Sequence, residues 1–227
     1  GELLLRCRNL SRQCQSLINL PQPVQPGAGR DDIRVRMVHR AIAFCHALRQ
    51  QLRGVPDRGE VQALLQPPEW QALQRSGSPT TLLMHHMGMD LQHCLRNGHI
   101  GEPLAASIDN TLNALVSAAA SCERIKSSPL PFSYTLLLHR TAYMYCFLLP
   151  FGLVDTIGFM TPFVVGIVAY TFFGLDALGD EIEEPFGLLP NDLPLDAICR
   201  TIEINLRESL GETDLPPPLQ AVDYCLL

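Results

Sequence analysis

The stretch that decides the fold is FSYTLLLHRTAYMYCFLLPFGLV, Phe132 to Val154, followed closely by FMTPFVVGIVAYTFFGL, Phe159 to Leu175. Only His139 and Arg140 interrupt the first run, and the second carries no formal charge. A helix rises 1.5 Å per residue, so about 20 residues cross a hydrocarbon core about 30 Å thick. The first run is long enough alone, and the second reaches that length if it continues to Leu178. Only Asp155 to Gly158 joins them, which predicts a helical hairpin with its tip at those residues. That tip has no Lys or Arg, whereas Arg124 and Lys126 flank the entrance, so the charge bias puts both hairpin ends on the cytoplasmic side. Aromatic residues gather near the segment ends, Phe132 and Tyr134 at one and Phe159 and Phe163 at another, as membrane interfaces favour.

His139 and Arg140 are the costly part of such a span. A central Arg costs roughly 2.5–3.5 kcal/mol on insertion scales, so these groups face protein or water, or snorkel to the nearby boundary. The sequence leaves open an ion pathway, a charge partner in an interface, and snorkelling.

Outward from the hairpin, the chain reads as amphipathic helices. Leu3, Cys7, Leu10, Cys14 and Leu17 recur at helical spacing in Gly1 to Leu20, as in a helix that continues one from upstream. Pro21, Pro23 and Pro26 end it. Asp31 and Asp32 then open a helix whose apolar stripe is Ile33, Met37, Ala41, Phe44, Leu48 and Leu52, with Arg34, Arg36, Arg40, Arg49 and Arg53 mostly off that stripe and Gly54 as its stop. A short helix is expected near Glu69 to Arg75, and Ser78-Pro79 starts another that runs to Arg96. Pro103 opens the next, with Leu104, Ile108, Leu112, Leu115, Ala119 and Cys122 on one face. A last helix spans Leu195 to Leu210, with Asp192 and Asp196 at its start. No strand-like alternation is present, so the class is all-α, a cytosolic helical domain with a two-helix transmembrane hairpin. The expected divisions are 1–126 cytosolic, 127–184 the hairpin, and 185–227 a cytosolic helix and tail.

The net charge of −6 argues against a nucleic-acid partner, which needs clustered Lys and Arg. The eight cysteines, at positions 7, 14, 45, 94, 122, 146, 199 and 225, form no C-x-x-C pair and mostly sit in apolar helical patterns, where free Cys acts as a small hydrophobe. His86, Asp90 and His93 share a helix face beside His85 and have metal-ligand spacing, but without the Glu of a zincin or a clear fourth ligand. No nucleophile elbow, P-loop or dinucleotide fingerprint occurs, which excludes the common enzyme signatures.

The stretch Cys122-Glu123-Arg124-Ile125, then Pro129-Leu130-Pro131-Phe132, then His139-Arg140 resembles the bacterial branch of the bestrophin family. So does Glu183-Glu184-Pro185-Phe186-Gly187, followed by Asn191-Asp192-Leu193-Pro194-Leu195-Asp196. The resemblance implies a homopentamer around one ion pore in the inner membrane, with four membrane helices per subunit, of which this hairpin is the last two. It implies that Ile125 forms the cytosolic aperture, where a ring of apolar side chains offers ions no replacement for hydration water. Read alone, Ile125 also fits the end of the helix's core stripe. Glu123, Arg124, His139 and Arg140 are the accompanying candidate pore or interface charges. In animal members a dense acidic run after Pro-Phe-Gly clasps Ca²⁺. Here that region, Glu184, Asn191 and Asp192, is too poor in carboxylates for the six to eight oxygens calcium takes, so no cofactor is expected. Asp180, Glu181, Glu183 and Glu184 either line a vestibule or solvate a helix end. Animal members pass chloride and the bacterial branch includes sodium-selective behaviour, so the permeant is a small inorganic ion of either sign. The alternative is a membrane-anchored helical scaffold without conduction.

Overall fold

Asp32 shows how the sequence starts its helices: its carboxylate accepts the Arg34 amide at 2.8 Å and caps α2, Ile33–Arg53, which Gly54 ends in the left-handed conformation at φ 66°. The computed structural model describes residues 1–22, 29–56, 59–128, 132–221 and 226. The other helices are α1 (Glu2–Leu17), α3 (Glu60–Leu64), α4 (Pro67–Gln74), α5 (Pro79–Arg96), α6 (Glu102–Ser127), α7 (Phe132–Ile157), α8 (Thr161–Glu183) and α9 (Leu195–Ser209). Among the described residues there is no strand. The helices fall into two compact units, Gly1–Arg124 with Pro194–Leu227, and Ile125–Leu193.

In the first unit α2 is the central helix, packed by α1, α3, α5 and α9. The expectation of one apolar stripe with arginines elsewhere is corrected here. Arg34, Arg40 and Arg49 are buried with Met37, Ala41, Phe44 and Leu48, because α2 is covered on every side. Burying a guanidinium is costly unless a carboxylate accompanies it, and each has one. Arg40 meets Glu69 and Asp90 at 2.6 Å each, Arg34 meets Asp32, Arg49 meets Glu60 and Asp196, and Arg53 meets Asp196 at 2.8 Å. Arg36, half-buried, joins Asp90 at 2.8 Å.

Helix α6 buries Ala105, Ile108, Leu112, Leu115 and Ala119 at spacings of three and four. Leu104, expected in that stripe, is exposed, and Ala105 takes its place one residue on. The region before α5 holds two short helices, α3 and α4, rather than one. On α9 the buried face is Cys199, Ile202, Glu203 and Leu206.

The second unit is built on the antiparallel pair α7 and α8. His139 faces Asp176, Tyr143 faces Phe173 with ring centroids 5.0 Å apart, and Tyr145 faces Phe172 at 5.5 Å. The reversal lies slightly later than expected. Asp155 is still in the last turn of α7, and the chain turns in a 3₁₀ segment, Gly158–Met160. Gly158 takes φ 51°, a conformation glycine adopts without a Cβ clash, and the Thr161 hydroxyl donates to its carbonyl at 2.7 Å. At 26 and 23 residues, α7 and α8 are about 39 and 35 Å long. Hardly any of the apolar stretch Leu136–Gly179 is buried within the chain. Phe147, Phe151, Ile167 and Tyr170 are all exposed, which for so much apolar surface implies a bilayer or a partner as its solvent.

Candidate functional site

Ile125 lies in the last turn of α6, and its side chain is 54% exposed. The apolar face of α6 is already complete at Ala119, so Ile125 does not close the core stripe, the plainer of its two sequence readings. Two residues earlier, Glu123 accepts a hydrogen bond from Gln51 of α2 at 2.8 Å, which fixes the rotation of α6 just before its end. Arg124 and Lys126 are exposed on either side. The α6 terminus thus presents a branched aliphatic side chain between charged neighbours. Burial, followed by the charge of Glu123, pushes the Cys122 thiol above its ordinary value and keeps it un-ionised.

His139 and Arg140, adjacent in sequence, have different surroundings. His139 Nε2 is 2.8 Å from Asp176 Oδ2 across the hairpin, whereas Arg140 is exposed. Asp176 is not among the residues the sequence singles out, because the uncharged run ends one residue before it. The signal was available: a hairpin reversing near residue 158 sets 139 opposite 176.

Glu184, Asn191 and Asp192, the region where animal members clasp calcium, have separate surroundings. Asp192 is buried, and its carboxylate accepts the Leu189 amide at 2.7 Å while its own amide donates to the Leu189 carbonyl at 3.0 Å. It folds its own loop, which corrects its expected place at the start of α9. Pro194 occupies the N-cap of α9, and Asp196 is drawn to Arg49 and Arg53. Leu193 donates to the Pro185 carbonyl at 2.9 Å, closing the loop. Gly187 is required there, because a Cβ would stand 2.5 Å from Asp192 Oδ2. Asn191 is exposed and donates to Glu181 at 2.8 Å, and Glu184 is exposed at the end of α8. Glu181 is half-buried beside this loop; the side chains of Asp180 and Glu183 lie outside the described residues.

The histidine cluster of α5 is also spoken for. His86 Nδ1 bonds Glu69 at 2.9 Å, Asp90 pairs with Arg36 and Arg40, and His93 bonds Asn97 at 2.8 Å. Among the described residues no group of three or more His, Cys, Asp or Glu is placed to hold a metal ion. The seven described cysteines are free thiols. Burial pushes Cys199 up to about 12 and Cys94 up to about 11, so they behave as small apolar side chains.

The comparisons with known proteins fit this arrangement. A family model described as "Bacterial/Fungal Bestrophin protein" matches residues 1–208. The voltage-dependent anion channel-forming protein YneE of Escherichia coli is 40% identical over 217 residues, covering 95% of this chain and 68% of that protein. The voltage-dependent anion channel-forming protein mll4386 of Mesorhizobium japonicum is 41% identical over 220 residues, covering 96% and 67%. Both are named for forming channels and not for an enzymatic activity. A bacterial bestrophin homologue from Klebsiella pneumoniae superposes with a TM-score of 0.83 at 35% identity, over 94% of this chain and 76% of that one. A match across residues 1–208, with relatives near 40% identity, decides the matter: this chain belongs to the bacterial/fungal bestrophin family.

Proposed function

We propose that this chain is a subunit of a homopentameric ion channel in the inner membrane, with the α7–α8 hairpin in the bilayer. The carrying observation is Ile125, an exposed apolar side chain at the end of α6 directly before that hairpin, in a chain about 40% identical to proteins named as channel-forming. Five copies around an axis would set a ring of isoleucines across the ion path, and such a ring gates or selects by dewetting. Residues 1–126 and 185–227 face the cytoplasm in this reading, on the charge bias of Arg124 and Lys126 against a tip free of Lys and Arg.

Glu123 and Arg124 flank the aperture and set the local field for ions approaching it. His139 acts as an internal tie of the hairpin through Asp176, which favours a structural role over a pore-lining one. Arg140, exposed and just over two turns from the start of α7, reaches for the headgroup boundary. Conduction needs no bound calcium, since Asp192 and Asn191 are engaged in their own loop and with Glu181. The relatives' names make chloride the first permeant to test and sodium the second.

The full-length protein in liposomes, with subunit stoichiometry measured on the same preparation, tests this reading. A pentamer that carries current, with a reversal potential on the chloride or the sodium side and no change on calcium chelation, supports it. A monomer without current would leave the membrane-anchored scaffold as the better description.

A further inference from the structure

Every arginine of α2 and α9 has a carboxylate partner, and Arg6 of α1 pairs with Glu2. Arg8 and Arg12, one turn apart on the same face of α1, do not. Among the described residues neither guanidinium has an ion pair; Arg8 Nη2 donates to Asn205 Oδ1 at 2.8 Å. Two like charges at that spacing repel by a few tenths of a kcal/mol on a helix surface. Both arginines line a groove of about 460 Å³ between α1 and α9, with Gln15 on the same helix and Asn205 and Ser209 on the opposite wall.

The chemistry of that groove is one-sided. Leu206 alone of its eight lining residues lacks a side-chain N–H or O–H donor, and no carboxylate is among them. The neutral donors are spent within the chain and hold the walls in place. Ser209 Oγ donates to the Leu206 carbonyl at 2.7 Å, Ser16 Oγ to the Arg12 carbonyl at 2.7 Å and Asn205 Nδ2 to the Thr201 carbonyl at 2.6 Å, which leaves the guanidinium N–H groups to meet a ligand. Ser11 Oγ lies 2.7 Å from Ser209 Oγ, and Gln15 Nε2 donates to both, at 2.9 and 3.2 Å. The carbonyl ends of α1 and α9 are nearby and oppose an anion with about half a charge each, but two whole guanidinium charges outweigh them. A groove with two guanidiniums and no carboxylate, in a chain of net charge −6, suits a negative ligand.

We infer that the α1–α9 groove is a binding site for a phosphate-bearing anion, with Arg8 and Arg12 as its charged ligands. A phosphate group offers several acceptor oxygens to the two guanidiniums, and it removes the repulsion between them. The phosphate is either free in solution or carried on a lipid headgroup. This site does not depend on the channel reading.

Thermal unfolding of the full-length protein in detergent, at fixed ionic strength, tests the site with two probes. One is sodium pyrophosphate. The other is short-chain phosphatidic acid, with phosphatidylcholine of equal chain length as control. A ligand that binds the folded state raises Tm in a saturable way. The expected result is a saturable rise with at least one probe, weakened about tenfold by Arg8→Gln or Arg12→Gln and abolished in the double variant. Ser16→Glu, which places a carboxylate in the groove, should abolish it too, and Arg75→Gln, an exposed cation elsewhere, should leave it intact. Because Arg8 and Arg12 are exposed, the unligated double variant should unfold at the wild-type temperature or slightly above. A rise with pyrophosphate assigns a free phosphate, and a rise with phosphatidic acid alone assigns a headgroup. No saturable rise with either probe, or an unchanged rise in the double variant, overturns the proposal.

Discussion

His139 on α7 and Asp176 on α8 stand 2.8 Å apart, Nε2 to Oδ2, and join the two apolar helices about five turns from their reversal at Gly158. With Tyr143 against Phe173 and Tyr145 against Phe172, this pair sets the register of the hairpin. Interhelical polar contacts of this kind in membrane proteins average about 0.6 kcal/mol and reach about 1.7. Asp176→Ala and His139→Ala should therefore each lower unfolding stability in detergent by roughly 0.5–1.5 kcal/mol. In a double-mutant cycle the double variant should lose less than the two losses added together. Strict additivity would mean that the two side chains do not interact.

The loop after α8 depends on Gly187 and Asp192 together. Gly187→Ala drives a Cβ to 2.5 Å from the Asp192 carboxylate, which must then release the Leu189 amide. Loss of a hydrogen bond to a charged group costs about 1.5–3 kcal/mol, and Gly187→Ala should be destabilising by that amount. Added on top of Asp192→Ala, the same glycine substitution should cost much less, because the clash is gone. Chemical denaturation of the four variants measures this. An equal cost in both backgrounds would show that the close approach does not matter.

Arg40 is the most exposed to disruption by mutation in the helical body. It is buried between Glu69 and Asp90, which in turn bind His86 and Arg36. Arg40→Ala leaves two carboxylates short of their partner and should cost about 3–5 kcal/mol. Arg40→Lys should recover only part of it, because an ammonium cannot reproduce the planar fork that meets the two carboxylates. Midpoints of denaturant unfolding decide this, and wild-type stability in Arg40→Lys would contradict the geometry.

Acid should weaken the same unit through His39. Burial holds this imidazole below its ordinary value although Glu212 lies 2.8 Å away. The unfolded chain therefore binds the proton more readily than the folded one, and stability falls as pH drops below the unfolded histidine value of about 6.5 until the lower folded value is passed. Glu203 and Asp32 are held below the ordinary carboxylate range, so their stabilisation is lost only at lower pH still. The test is the slope of stability against pH from 7 to 5.5, which His39→Gln should flatten. An unchanged slope would remove His39 as its cause.

The extent to which the sequence revealed this structure follows from where each signal is local. The apolar runs on either side of Gly158 are long and local signals, so the helix pair was legible, as were Asp32 and Gly54 at the ends of α2. The arginines of α2 were misread because periodicity reports only which residues are apolar. Arg40 is buried by virtue of Glu69 and Asp90, 29 and 50 positions away. Asp192 was misplaced for a similar reason. Carboxylates near a helix start suggest a cap, and only the approach of Gly187 shows that the loop itself claims this one. Of the candidate site, the exposure of Ile125 could be read only once α6 was seen to complete its core face at Ala119.

The most direct measurement is single-channel current from the full-length protein in lipid bilayers under a salt gradient, comparing wild type with Ile125→Ala and Ile125→Glu. The side chain is exposed, so neither change should disturb folding or assembly. The expected result is a larger conductance with looser ion discrimination for Ile125→Ala, and a shift of reversal potential towards cations for Ile125→Glu, as an apolar constriction is opened or charged. Currents from both variants that match wild type in conductance and reversal potential would remove Ile125 from the ion path.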